Sequence, residues 1–139
     1  MAGYSGTPLV KKLGIKDDFN VAFVNAPAGF INGLALEKGV KASTGASKRL
    51  DFILLFVKSK RELETKFSLQ AAKLRPTGML WISWPKKASG VVTDLNGNIV
   101  RHIGLANGLV DVKVCAVDEV WSGLKFVFRL KDRRALESR

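Results

Sequence analysis

The chain is 139 residues long and carries 23 lysines and arginines against 12 aspartates and glutamates, a formal net charge of +11 at neutral pH. That length is enough for one domain, 1–139, with its own core; the 47% hydrophobic share is that of a soluble globular protein, and no apolar run approaches the roughly 20 residues of a membrane span. A lone cysteine, Cys115, excludes an intramolecular disulfide and a cysteine-built zinc cluster.

The N-terminal stretch MAGYSGTPLVKK has no apolar core of a signal peptide, so a cytoplasmic protein is expected. Residues 1–15 form an N-terminal helical segment in this reading, with Thr7 as hydroxyl cap, Pro8 at the first helical position and Gly14 just past the end. Asn20 to Val24 reads as a buried strand. It breaks at Asn25-Ala26-Pro27-Ala28-Gly29 into a short helix-like segment through Leu36, and Val40 to Ser43 is a weak second strand. Asp51 to Val57, apolar on both faces, has the composition of the central strand of a parallel sheet.

Ser59-Lys60-Arg61-Glu62 then spells a capping box, with the serine accepting a backbone N–H and the glutamate reaching back to the serine's own. Its helix is expected to run to about Leu74, offering Leu63, Phe67, Leu69, Ala71 and Leu74 for burial, until Pro76 and Gly78 stop it. Met79 to Trp84 is the fourth strand. A second helix is expected from Asp94 or Leu95 to about Asn107, with Ile99, Ile103 and Leu105 as its apolar stripe. Val110 to Val117 alternates as a half-buried strand carrying Cys115 as a packing thiol. Leu124 to Leu130 is its antiparallel partner, and 131–139 reads as a partly disordered tail. Strand and helix in alternation with a closing hairpin predict an α/β fold: a three-layer Rossmann-like sandwich, mostly parallel, with an antiparallel C-terminal strand.

In such sheets ligands bind beyond the carboxyl ends of the strands. Those ends bring together Asn25, Lys58, Trp84, Lys86, Lys87 and Trp121, a basic rim with flat apolar surfaces suited to an anion that carries a ring, such as a nucleotide. The solvated-lysine, packed-tryptophan reading of the same residues stands beside it. His102 is the only histidine and has no metal-ligand spacing to any other residue; no metal site is expected. Asp118 and Glu119 are adjacent, so on a strand they face opposite sides.

The succession DFILLFV, capped helix, LRPTGMLWISW, helix and final two-strand hairpin resembles the second half of the class I methyltransferase fold, with one strand and helix of the first half missing. GYSGTPLVKKLGI, LRPTGMLWISWPKK and GLVDVKVCAVDEVWSGLKFVFR together resemble a bacterial family of domains of unknown function of about this length. The methyltransferase resemblance implies S-adenosylmethionine (SAM), a glycine-rich first loop and an acidic residue at the end of the second strand. Here Asn25-Ala26-Pro27-Ala28-Gly29 offers one glycine and a proline, and residues 40–45 contain no carboxylate, so no cofactor is expected. Three readings result: a non-catalytic domain for an anionic or nucleotide-like ligand or a partner; a nucleic-acid-binding protein with Trp84 or Trp121 stacking on bases; and a transferase with a divergent cofactor site, in which Lys86 or Lys87 serves as electrophile or base. No membrane partner is expected, and the sequence leaves the oligomeric state open.

Overall fold

The computed structural model describes residues 8–43 and 49–137. It contains α1 (Leu9–Leu13), β1 (Asn20–Val24), β2 (Lys41–Ser43), β3 (Leu50–Phe56), α2 (Lys60–Ala71), β4 (Leu74–Pro85), a single 3-10 turn (Lys87–Ser89), α3 (Gly97–Ala106), β5 (Leu109–Ala116), β6 (Trp121–Phe128) and α4 (Leu130–Glu137). The strands form one six-stranded sheet in the order β2-β1-β3-β4-β6-β5. β2, β1, β3 and β4 are mutually parallel, and β6 runs antiparallel to both β4 and β5. This is the Rossmann-like architecture that the sequence predicts. Only residues 44–49 separate β2 from β3, too few for a helix and strand, which matches the expected gap in the first half.

β3 sits inside the sheet because its side chains have no polar face to offer. Phe52, Ile53, Leu54 and Leu55 are all fully buried, and their alternation feeds two separate cores. Ile53 and Leu55 join Leu80, Ile82, Leu124 and Phe126 under α2 and α3, which contribute Leu63, Phe67, Val100 and Ile103. Phe52, Leu54 and Phe56 join Trp81 and Trp121 on the opposite face, where the cover is thinner: Val10 and Leu13 of α1, Ile15, and side chains of the β1–β2 connection. Trp81 closes that face. Its indole N–H donates to the Leu13 carbonyl at 2.9 Å, a buried bond that satisfies one of the open carbonyls at the end of α1. Gly14 follows with φ 84°, the left-handed conformation in which a helix ends most readily on glycine.

Several elements depart from the sequence reading. Pro8 is the N-cap of α1, not its first helical residue, and Thr7 lies outside the described residues. The segment after Asn25 is a chain of turns instead of a helix: Phe30 N–H bonds Pro27 O, Gly33 N–H bonds Gly29 O, and Leu34 N–H bonds Ile31 O. Positive φ at Asn25 (60°) and Gly29 (81°) prevents helical propagation there. β4 begins at Leu74, so Pro76 and Gly78 lie in the strand and do not stop the helix that precedes it. The register with β3 jumps between Leu50↔Leu74 and Phe52↔Met79, and this irregularity accommodates a proline without an N–H. Gly78 is required there, since a Cβ would lie 2.8 Å from Leu50 O. α2 consequently ends at Ala71, and Leu69, expected in the core, is 60% exposed. In α3 the buried positions are Val100, Ile103 and Gly104, with Leu105 only partly covered. Residues 130–137 form α4, where a partly disordered tail was expected, and Leu136 packs on the helical-face core.

Two substitutions test this packing. Replacing Trp81 by phenylalanine removes the indole donor and leaves the Leu13 carbonyl buried without a partner, so a loss of about 1–3 kcal/mol in urea unfolding is expected. Gly104→Ala should cost about 1–3 kcal/mol by overpacking, because its Cβ would fall 2.0 Å from Phe126 Cε1, a ring already wedged edge-on against Phe67 at 5.4 Å. Wild-type unfolding midpoints for either variant would show that the facing element yields without penalty.

Candidate functional site at the carboxyl edge

The parallel strands deliver their carboxyl ends to one edge, and a set of backbone bonds fixes that edge. Val57 N–H bonds Ser83 O at 2.9 Å, and Lys86 N–H bonds Val120 O at 2.7 Å. Pro85 is the last residue of β4, opposite Trp121 in the register. Beyond it, Ser89 donates its hydroxyl to Lys86 O at 2.6 Å and folds Lys87–Ser89 into the 3-10 turn. Asp118, expected just beyond the fifth strand, lies in the β5–β6 turn, where its Oδ1 accepts the N–H groups of Val120 and Trp121, each at 2.8 Å.

The six residues singled out from sequence all reach this edge but divide between two clefts. Trp84, Lys86 and Lys87 line a cavity of about 670 Å³ together with Thr93, Asp94, Asn96, Gly97 and Ser122. Asn25, Lys58 and Trp121 line a second, of about 340 Å³, with Pro27, Phe56 and Glu62. Trp84 belongs to the core under α2 and α3, and Trp121 to the core under α1, so the two indoles lie on opposite faces of the sheet and do not form one platform. Both are also buried, at 6% and 8% exposure, which removes them as open stacking surfaces for bases. Phe56 meets Trp121 edge-on at 5.0 Å and Phe30 at 4.9 Å, which packs the floor of the smaller cleft. Asn25 spends its amide on Phe56 O at 3.4 Å.

Charge separates the clefts further. The N-terminal end of α2 carries the partial positive charge of a helix start, and carboxylates already occupy it. Asp94 Oδ1 accepts Lys60 N–H at 2.7 Å and Glu62 Oε1 accepts Lys58 N–H at 2.9 Å, while Ser59 Oγ accepts Glu62 N–H at 3.1 Å. The capping box thus closes on Lys58 N–H in place of the serine's own. The N-terminal end of α3 is capped by neutral Asn96, whose Oδ1 accepts Ile99 N–H at 2.9 Å, and it opens on the larger cleft beside Lys86 and Lys87. Sequence reasoning missed both devices. Asn96-Gly97 before an apolar stripe could have marked the true start of α3, whereas no local signal ties Asp94 to a helix 34 residues earlier.

His102 is exposed on α3, and no group of three histidine, cysteine, aspartate or glutamate side chains able to hold a metal comes together among the described residues. Cys115 is half-buried against the α1 face; burial pushes its thiol above the ordinary range, and Lys113 and Lys12 offset part of that rise.

Neither a protein-family model nor a curated protein sequence matches the chain. Solved structures do. A Methanococcus jannaschii fibrillarin pre-rRNA processing protein is similar with a TM-score of 0.58 at 14% identity, over 91% of this chain and 70% of that one. A magnesium protoporphyrin IX methyltransferase from Synechocystis with bound SAM gives 0.57 at 12%, over 87% and 74%. A SAM-dependent methyltransferase from Aquifex aeolicus gives 0.55 at 19%, over 85% and 86%. At these identities the likeness is one of fold: the chain has a methyltransferase-like architecture.

The residues present do not fit SAM. Gly29 satisfies a left-handed turn, but a Cβ there would meet nothing within 4 Å, so it is not the point of a close backbone approach. Pro27 withholds an N–H from the loop, and the stretch from Ser43 through Lys48 supplies no carboxylate for ribose hydroxyls. Isothermal titration with SAM is therefore expected to show no binding tighter than about millimolar, where only about 4 kcal/mol is available. A micromolar dissociation constant would overturn this reading of the first loop.

Proposed function

We propose that the chain is a single methyltransferase-fold domain that works in the cytoplasm as a binding module for an anionic, nucleotide-like ligand, held in the larger cleft. The observation that carries the reading is the convergence, on one cavity of about 670 Å³, of Lys86, Lys87 and a helix start with no carboxylate on its N–H groups. Pro85 is the last residue of β4 and Lys86 N–H makes one further bond to Val120 O, after which the 3-10 turn carries the chain off the sheet with both lysines lining the cleft. Phosphate oxygens fit the ammonium groups and the first N–H groups of α3, and Trp84 with Leu95 supplies the apolar floor. The smaller cleft, with Lys58 next to Glu62, is closer to charge balance and is not the primary anion site in this reading.

A transferase with a divergent cofactor site is the second reading. The likeness to solved methyltransferases favours it, since two of the three neighbours described are methyltransferases by name. Lys86 or Lys87 would then be the residue to polarise or deprotonate a substrate group at the edge.

The double variant Lys86→Ala/Lys87→Ala separates the binding reading from the bland one. Its stability should stay within about 0.5 kcal/mol of the parent, as Lys87 is exposed and Lys86 only partly buried. Affinity for AMP, ADP or inorganic phosphate, measured by calorimetry, should fall by about a hundredfold or more, since each charge-assisted contact contributes about 1.5–3 kcal/mol. Equal affinity in parent and variant means the lysines are solvated decoration, and methyl transfer from labelled SAM would move the weight to the transferase.

A further inference from the structure

The thinly covered face of the sheet carries a second concentration of positive charge that neither cleft uses. Lys113 and Lys125 are direct cross-strand partners on β5 and β6, and Lys125 shares a face with Trp81, its partner on β4. Like charges opposed on neighbouring strands are destabilising, so the free protein carries an electrostatic cost here. Lys16, from the segment after α1, joins them: burial first, then Lys113 and Lys16, pulls the Lys125 ammonium below its ordinary range. Lys113 Nζ donates to the Lys12 carbonyl at 3.2 Å, and a Cβ on Gly14 would come 4.0 Å from Lys125 Nζ, so the group gathers at the end of α1. The ion pairs formed among the described residues, Lys66–Glu62, Arg75–Asp51 and Arg101–Asp111, leave all three lysines out. Asp18, two residues after Lys16, turns its carboxylate to Gly39, whose Cβ would lie 2.7 Å from Oδ1.

We propose that Lys16, Lys113 and Lys125 form a contact surface for the phosphate backbone of duplex nucleic acid, read without regard to base sequence. A chain of net charge +11 with converging ammonium groups suits a regular polyanion. Base stacking is not part of the surface, because the exposed large apolar side chains of the described residues are all aliphatic. That argues for the outside of a duplex over a single strand laid on rings. A lipid surface is disfavoured, since the exposed Val114 pairs with Leu124 and so lies on the other face, and Val112, at the register irregularity beside Lys113, is a single aliphatic group. This surface is independent of the nucleotide-like reading of the cleft.

The test is fluorescence anisotropy of the full chain with short labelled DNA duplexes of two unrelated sequences across a salt series. Both duplexes should bind equally, and Lys16→Gln/Lys113→Gln, two exposed positions, should lower the slope of log affinity against log salt by about 2, one per lysine. Lys86→Ala/Lys87→Ala should leave the slope unchanged. An unchanged slope in the Lys16/Lys113 variant, a marked preference for one sequence, or no binding by the parent overturns the proposal. So does displacement by poly-glutamate at equal charge, or preferential binding to phosphatidylserine vesicles, either of which assigns the surface to another partner.

Discussion

A sheet buried on both faces needs two covers, and this chain spends its well-formed helices on one of them. The other depends on the hydrogen bond from the Trp81 indole to the Leu13 carbonyl. α1 has five residues, far below the length at which a helix is stable alone, so its persistence has to come from docking. Trp81 provides a large apolar surface at the middle of β4 and one donor to consume a carbonyl that α1 cannot satisfy itself. Val10, Leu13 and Ile15 then lie on the same core as Phe52, Leu54 and Phe56, and the central strand is closed off from water.

With both faces of the sheet covered, the two clefts open at its carboxyl edge. The placement of the aromatic residues there follows from strand geometry. Trp84 pairs with Ser122 and Pro85 with Trp121, so the two indoles are one register position apart on adjacent strands. A one-residue offset sends side chains to opposite faces, and the two rings end in different cores. The lysines follow no such rule, because β4 ends at Pro85, Lys86 N–H makes the last bond to the neighbouring chain at Val120 O, and the 3-10 turn sets the direction beyond it.

The sheet was legible where chemistry is local. The DFILLFV run has no polar face, and it appears as the doubly buried β3; the alternation of LKFVF appears as antiparallel β6, inserted between β4 and β5. Ser59 and Glu62 read correctly as a helix start, although Glu62 reached one residue further back. What sequence could not show is set by distant neighbours. LRPTG has the punctuation of a helix stop, yet pairing with Leu50 draws Leu74 into a strand that tolerates a proline at an irregularity. Lys16, Lys113 and Lys125 are far apart in the chain and never form a run, so their convergence emerges only from the β5–β6 register and the docking of α1.

Asp94 and Thr93 belong to the wall of the larger cleft, but their bonds reach across to the smaller one. Thr93 donates its hydroxyl to Lys58 O at 2.6 Å, Asp94 holds Lys60 N–H, and Lys58 itself lines the second cleft. The loop after β4 therefore acts as a clasp on the first turn of α2. The two clefts are thereby tied together by a pair of hydrogen bonds, and the backbone that positions Lys58 rests on the loop that carries Thr93 and Asp94.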